Sequence, residues 1–344
     1  MNDLHKPTNI SISVTGRCNL RCLHCKGGDA VMLGEMPRLL FSAIRERFTR
    51  KKLSTIGKKE LSYGEWIGII SSLKEWMGVY RLSITGGEPF IRKDMIDIIR
   101  FCHKNGIRSY ICTNASLLAA EDITALSGFD SLTLNVSLDG STPETHDYLR
   151  GKAGLYQRVM NALMQFKAAP RRCSINIVTV LTGLNYFEIP DLVSIVHDRK
   201  LADRIVFQAL DHPFGLPYDK AWFHKNRLWP KGNERDKLIS MIERLIMLKK
   251  DVIEIYNPVE QLRRFQRYFA NPSENMSEHC LSEENNFIIN QWGDVLLCWN
   301  MAGIGEFKKG PEQIWNSASA GKIRKAIQKC RRTCRLLNCN LLFD

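Results

Sequence analysis

The 344 residues exceed one ordinary domain and fall short of three, ample chain to bury a large core. With 44% hydrophobic and 25% charged residues the composition is globular, which excludes a disordered or collagenous chain. Residues 1–13 carry no basic-then-apolar signal pattern, and no run nears the ~18–20 apolar residues of a membrane span. A soluble, cytoplasmic protein without membrane contact is expected. The net charge of +13 is uneven: residues 38–59 hold eight basic residues against one acidic, and residues 308–335 hold nine against one.

The predicted elements alternate. Apolar, β-branched runs at 9–15, 81–85, 108–113, 132–138, 174–181 and 204–210 read as strands. Helical periodicity falls between them at 63–76, 95–105, 119–127, 155–167 and 187–200. Six such alternations predict parallel strands with right-handed crossovers, in a barrel or an open doubly wound sheet. Residues 26–59 form a basic insertion too long for a plain loop. After residue 210 come a proline- and aromatic-rich connector, two amphipathic helices at 237–249 and 259–269, and a hairpin over 287–290 and 295–298. The expected division is 1–210, a helical connector 211–276, and a cysteine-rich domain 277–344.

Eight of the eleven cysteines fall into two groups. In a long chain of this kind, clustered cysteines read as metal or redox chemistry rather than a disulfide framework. Cys18, Cys22 and Cys25 lie in one loop just past the first strand. Three thiolates on a short loop suit iron–sulfur ligation and leave one iron of a four-iron cluster open. Structural zinc wants a closed set of four ligands. His24 could be the fourth, but it lies between two of the cysteines, where reaching a common ion is strained. Iron–sulfur ligation is favoured; zinc or coincidence are the other readings.

The run Gly16-Arg17-Cys18-Asn19-Leu20-Arg21-Cys22-Leu23-His24-Cys25 resembles the cluster loop of the radical SAM superfamily. The resemblance implies a 4Fe–4S cluster whose open iron chelates the amine and carboxylate of S-adenosylmethionine (SAM). It implies reductive cleavage to a 5′-deoxyadenosyl radical that abstracts hydrogen from a C–H bond. His24 stands where the family usually has an aromatic residue whose backbone meets the adenine. Over residues ~9–210 the implied fold is a partial (β/α)6 barrel.

Three further strand ends extend the resemblance. Thr85-Gly86-Gly87-Glu88-Pro89 is, by itself, a glycine turn opening a helix. In the family the glycine backbone and Glu88 would hold the methionine amine. Asn114 alone reads as a turn or helix cap; the family often has a polar residue here near the ribose. Ser137-Leu138-Asp139-Gly140 is an ordinary turn signal, yet with Arg150 it matches a family pattern. That match implies that Ser137 and Arg150 contact the methionine carboxylate and that Asp139 lies at the ribose. Polar residues at four consecutive strand ends fall where α/β barrels place active sites.

Cys280, Cys298, Cys330, Cys334 and Cys339 form the second group. The run from Gly293 to Cys298 resembles the hairpin of the twitch and SPASM extensions behind radical SAM barrels. Five cysteines are too few for two fully ligated clusters. One auxiliary 4Fe–4S cluster is therefore implied, with Cys334 or Cys339 as its fourth ligand and a zinc ribbon as the competing reading. The small C-terminal domain is expected to be a hairpin plus helix. Arg331, Arg332 and Arg335 interleave these cysteines, where positive charge favours thiolate.

Electron return to the auxiliary cluster would give oxidation or bond formation. A cysteine that donates hydrogen would instead give epimerisation, and Cys112 near the end of the third strand is placed for that. Gln208, Asp211, His212 and Tyr218, just past or near the end of the sixth strand, are the expected substrate contacts. The substrate is a small natural product or a ribosomal peptide, and the implied partner is a flavodoxin- or ferredoxin-type electron donor. With the motif beginning at Cys18, a peptide would need a separate recognition protein or the basic insertion. A non-enzymatic zinc protein binding nucleic acid through its basic patches is the remote alternative; it leaves the aligned strand ends unexplained, so nucleic acid is not expected.

Overall fold

A computed structural model describes residues 5–26, 58–214, 218–274 and 280–337. Most of the basic insertion and Cys339 lie outside these described residues. The first half alternates as its sequence patterns require: β1 Asn9–Ser13, α1 Tyr63–Met77, β2 Arg81–Thr85, α2 Met95–Lys104, β3 Arg108–Thr113, α3 Ala120–Ser127 and β4 Leu132–Ser137. It continues through α4 Pro143–Arg150, α5 Leu155–Ala168, β5 Ser174–Leu181, α6 Ile189–Arg199 and β6 Arg204–Ala209. The six strands run parallel in the order 6-5-4-3-2-1, an open sheet and so a partial barrel.

Period-two alternation gives this sheet two unlike faces. Ile10, Ile12, Leu82, Ile84, Ile111, Leu134, Val136, Ile175, Ile177 and Phe207 are buried in one core with the helices. The intervening positions point to the other face and are chemically different. They include Ser11, Ser83, Thr85, Cys112, Thr133, Asn135, Ser137 and Gln208. A parallel sheet packed on both faces would read as nearly continuous aliphatic runs. The polar face is therefore free for something other than packing.

Beyond the barrel come α7 Asn233–Leu248, α8 Val259–Ala270, β7 Asn286–Ile289, β8 Asp294–Leu296, β9 Gly305–Glu306 and α9 Ala318–Gln328. The predicted hairpin is β7 and β8, paired antiparallel with Ile289 opposite Val295. It does not stand apart from the barrel. Strand β7 pairs in parallel with β1, Ile10 opposite Phe287, so one nine-stranded sheet runs from β6 to β9. Trp76, Phe287 and Trp315 close the seam, with ring centroids 5.6 to 6.4 Å apart. Among the described residues no helix is long and apolar enough to cross a membrane.

Candidate functional site

The loop after β1 is clamped from three directions. The Gly87 and Glu88 N–H groups donate to the carbonyls of Thr15 and Arg17, each at 2.8 Å. A Cβ on Gly87 would stand 2.1 Å from Arg17 O, and one on Gly86 2.4 Å from Thr15 O. Only glycine allows this approach. The turn after β2 thus packs its N–H groups onto the cysteine loop, which leaves its carbonyls to face elsewhere. On the other side, the Leu23 N–H donates to Leu149 O at 2.9 Å, where α4 ends in left-handed Gly151.

Asn19 supplies the third clamp. Its Nδ2 donates to Ser116 Oγ at 2.8 Å, and its Oδ1 accepts from Asn114 Nδ2 at 3.0 Å. Asn114 Oδ1 in turn accepts from the N–H and hydroxyl of Ser116. The Asn114 side chain is therefore an Asx turn braced against the cysteine loop. The spacing of Asn19 and Ser116 in the chain gave no sign of this pairing.

Glu88 is buried and joins two strand ends. Its Oε1 accepts from Thr113 Oγ1 at 2.7 Å and from the Phe90 N–H at 3.2 Å, and its Oε2 accepts from the Asn114 N–H at 2.8 Å. Burial pushes its pKa up, and these hydrogen bonds only partly offset the rise. Of roughly four lone-pair sites on a carboxylate, three are used, which leaves one on Oε2.

Asp139, expected at the ribose by resemblance, is fully buried. Its Oδ2 accepts from Arg150 Nε at 2.6 Å and lies 3.4 Å from His24 Nε2, while its Oδ1 accepts from the Val180 N–H at 2.9 Å. Burial alone would raise its pKa, but Arg150, His24 and His146 leave it below the ordinary range. Arg150 Nη1 reaches Cys22 Sγ at 3.8 Å. Burial pushes the Cys18 and Cys22 thiols up, and Arg150 opposes this at Cys22. Ser137 ends β4 beside Val178, half-buried on the polar face. Cys112 shares that face; its thiol is exposed and lies 3.9 Å from Asn135 Nδ2.

The segment after β6 ties this loop to the second cysteine group. Asp211 Oδ2 lies 3.2 Å from Lys26 Nζ, and the Phe214 N–H donates to Lys26 O at 2.8 Å. The Phe214 ring stacks on Trp299, the residue after Cys298, with centroids 6.4 Å apart. The His212 ring meets Tyr218 and Trp222 edge-on, and Arg332 lies over the Tyr218 ring at 4.9 Å. Lys26, Phe214 and Trp299 were not singled out by sequence; adjacency to Cys25 and Cys298 was the available signal for Lys26 and Trp299, and nothing marked Phe214.

Cys280, Cys298 and Cys330 come from three separate segments, yet they influence one another electrostatically. Burial raises the Cys298 thiol; Cys280 and Cys330 raise it further, and Arg332 opposes them. The Asn300 N–H points at Cys298 Sγ from 3.4 Å. Cys334 sits in the short 3-10 turn Thr333–Leu336, near Tyr218 and Tyr268. Cys102 and Cys173 are buried in the core. None of the ten described cysteines is in a disulfide, and among the described residues no three His, Cys, Asp or Glu side chains converge on a single-ion site. Three unpaired thiols on a clamped loop, with a guanidinium N–H aimed at one of them, suit an anionic sulfur-ligated cluster.

An open parallel barrel with a three-cysteine loop at the end of its first strand defines a class of cluster-dependent enzyme. The chain belongs to the radical SAM superfamily, whose family description matches residues 12–196. Its cofactors are accordingly a 4Fe–4S cluster and SAM, and the non-enzymatic reading falls. It is similar to the AdoMet-dependent heme synthase of Methanosarcina barkeri, 29% identical over 342 residues, spanning 95% of this chain and 87% of the relative. The mitochondrial GTP 3′,8-cyclase of Arabidopsis thaliana is 28% identical over 67% of this chain, which spans about half (52%) of that protein. Among solved structures, Streptococcus suis SuiB bound to its precursor peptide SuiA has a TM-score of 0.66 at 19% identity, covering 92% of this chain and 66% of SuiB.

Proposed function

We propose that this enzyme oxidises, or forms a bond within, a natural-product intermediate, either a small molecule or a ribosomal peptide, with electron return to one auxiliary 4Fe–4S cluster. The observation that carries the reading is the bridge of Asp211, Phe214 and Tyr218 between the two cysteine groups. A substrate seated against the bridge and the polar face of the sheet lies between both groups. Heme, GTP and a precursor peptide each accompany a similar protein by name. The uncharged hydroxyl, amide and thiol side chains of that face suit a neutral polar group, of a small molecule or of a peptide.

When bound, the cluster and SAM supply a 5′-deoxyadenosyl radical that removes a substrate hydrogen atom. Cys18, Cys22 and Cys25 would hold that cluster. Glu88 Oε2, with the Gly86–Gly87 carbonyl edge, would hold the methionine amine, and Ser137 and Arg150 its carboxylate. Cys280, Cys298 and Cys330 would hold the auxiliary cluster, with Cys334 or Cys339 completing it. Asp211 and His212 would line the substrate's entrance, and a flavodoxin- or ferredoxin-type protein would deliver the electron.

A second reading, epimerisation, is favoured by one observation: the exposed Cys112 thiol on the polar face. That thiol would give a hydrogen atom to the substrate radical and be restored by one electron and one proton from the external reductant. Cys112→Ala separates the two, because it abolishes epimerised product and leaves an oxidation intact.

The primary test is anaerobic reconstitution with counts of iron and sulfide, followed by assay of 5′-deoxyadenosine with reductant. About eight irons are expected, falling to about four when Cys18, Cys22 and Cys25 are all alanine. Zinc in either group, or no deoxyadenosine, overturns the reading.

A further inference from the structure

Arg150 and Asp139 form a buried ion pair directly against the first cysteine loop. The 2.6 Å contact from Arg150 Nε to Asp139 orients the guanidinium so that Nη1 faces Cys22 Sγ at 3.8 Å. Asp139 is itself fixed: Val180 N–H donates to its carboxylate, and Asn185 Nδ2 donates to its backbone carbonyl at 2.8 Å. A buried pair is poor evidence for stability, because desolvating both charges cancels most of their attraction. Its direction is better explained by what the free edge of the guanidinium meets, and that is a sulfur.

We infer that Arg150, aimed by Asp139, is a positioning residue that hydrogen-bonds the Cys22 sulfur and makes the first cluster easier to reduce. The inference rests on the reading that Cys18, Cys22 and Cys25 hold that cluster. It assigns Arg150 a task beyond meeting the methionine carboxylate, and Asp139 one beyond the ribose contact that the resemblance implies. One electron passes from the external donor to the cluster. Its negative charge then grows by one, so a positive group at a ligand sulfur favours the reduced state and raises the potential. The guanidinium stays protonated throughout and takes no part in proton balance. Asp139 partly cancels that charge, so losing the aspartate acts in the opposite direction to losing the arginine.

The test is a redox titration of the reconstituted full-length protein without SAM, followed by electron paramagnetic resonance. The signal that changes on later addition of SAM identifies the first cluster. Arg150→Gln is expected to lower the reduced-to-oxidised ratio at fixed poise about tenfold, which is 59 mV for one electron. Arg150→Lys keeps the charge and should recover at least half of that shift, while Asp139→Asn shifts the potential upward. An unchanged potential in Arg150→Gln at full iron content, or no recovery in Arg150→Lys, overturns the inference. The two arginine variants decide the matter even where Asp139→Asn fails to retain its iron. Wild-type protein that takes up no iron and sulfide overturns the cluster reading itself, a separate failure.

Discussion

The two cysteine groups are built in opposite ways. Cys18, Cys22 and Cys25 share one eight-residue stretch, and neighbouring strand ends hold it through backbone contacts that only glycine permits at Gly86 and Gly87. Cys280, Cys298 and Cys330 come from three segments, brought together by extending the barrel sheet through β7 and β8. The first group is a local motif with a distributed support; the second is a distributed set supported by a sheet edge. Damage should therefore spread differently. A change in the support of the first group disturbs its ligands, whereas the second group can be disabled while the barrel stands.

The largest expected effect separates them directly. Cys22→Ala removes a proposed ligand of the SAM-binding cluster, so deoxyadenosine formation should fall to background. Cys298→Ala should leave deoxyadenosine formation measurable while product is lost and about four irons disappear. Chromatographic assay of both compounds checks this. Equal loss of deoxyadenosine in the two variants would erase the contrast between a generating and an accepting site.

Glycine substitutions sharpen the contrast in stability. A Cβ at Gly87 would overlap Arg17 O at 2.1 Å, so Gly87→Ala must displace the cysteine loop. A cost of about 1–3 kcal/mol with lost iron is expected. Gly293, between β7 and β8, has a left-handed φ of +84°, but a Cβ there meets nothing nearer than a Leu61 methyl at 3.7 Å. Gly293→Ala should cost about 1–2 kcal/mol through the backbone alone and leave the SAM-binding cluster in place. Urea unfolding of the two variants, with iron content measured beside it, gives both numbers.

Much of this contrast is legible in the amino-acid sequence. The six parallel strands follow from β-branched runs, and the first cysteine loop from its spacing. What stays hidden depends on partners far apart in the chain. Strand β7 lies 277 residues beyond β1, as the Asn9–Asn286 pair shows, and no periodicity reports such a pairing. Helix α4 escapes the periodicity because His146 and Arg150 occupy two of its three buried positions in place of apolar residues. Resemblance places Asp139 and Asn114 at a ribose, and it carries no sign that they also brace the cysteine loop through His24 and Asn19. A polar residue at a strand end reads alike whether it meets a ligand or holds what meets the ligand.

That supporting role makes the barrel side acid-sensitive. His146 Nδ1 accepts the Asp139 N–H at 3.1 Å, which requires an unprotonated nitrogen, and burial lowers its pKa to about 4 from 6.5. Below pH 6.5 the unfolded chain binds a proton that the folded protein refuses until about pH 4, so stability rises with pH across that window. Between pH 7 and pH 5 the loss from this group is about 2 kcal/mol. His146→Asn keeps an acceptor without the titration and should flatten the dependence by that amount. Urea unfolding of the two apoproteins at both pH values measures it, and parallel curves would remove His146 from the account.

The smallest effect concerns how far the two regions are joined. Phe214 and Trp299 stack at 6.4 Å and 21°, within the range of productive aromatic pairs, and they link a residue bonded to Lys26 with one adjacent to Cys298. If this stack couples the regions, Phe214→Leu and Trp299→Leu should not add. A double-mutant cycle in urea should return a coupling of about 0.5–1.5 kcal/mol. The Lys26–Asp211 contact at 3.2 Å lies beside the stack and remains in all four proteins of the cycle, so it cancels from the coupling. A coupling below about 0.3 kcal/mol would mean that the ring pair contributes nothing specific. The link between the cysteine groups would then rest on the β1–β7 seam and on the Lys26–Asp211 and Arg332–Tyr218 contacts, not on the ring pair.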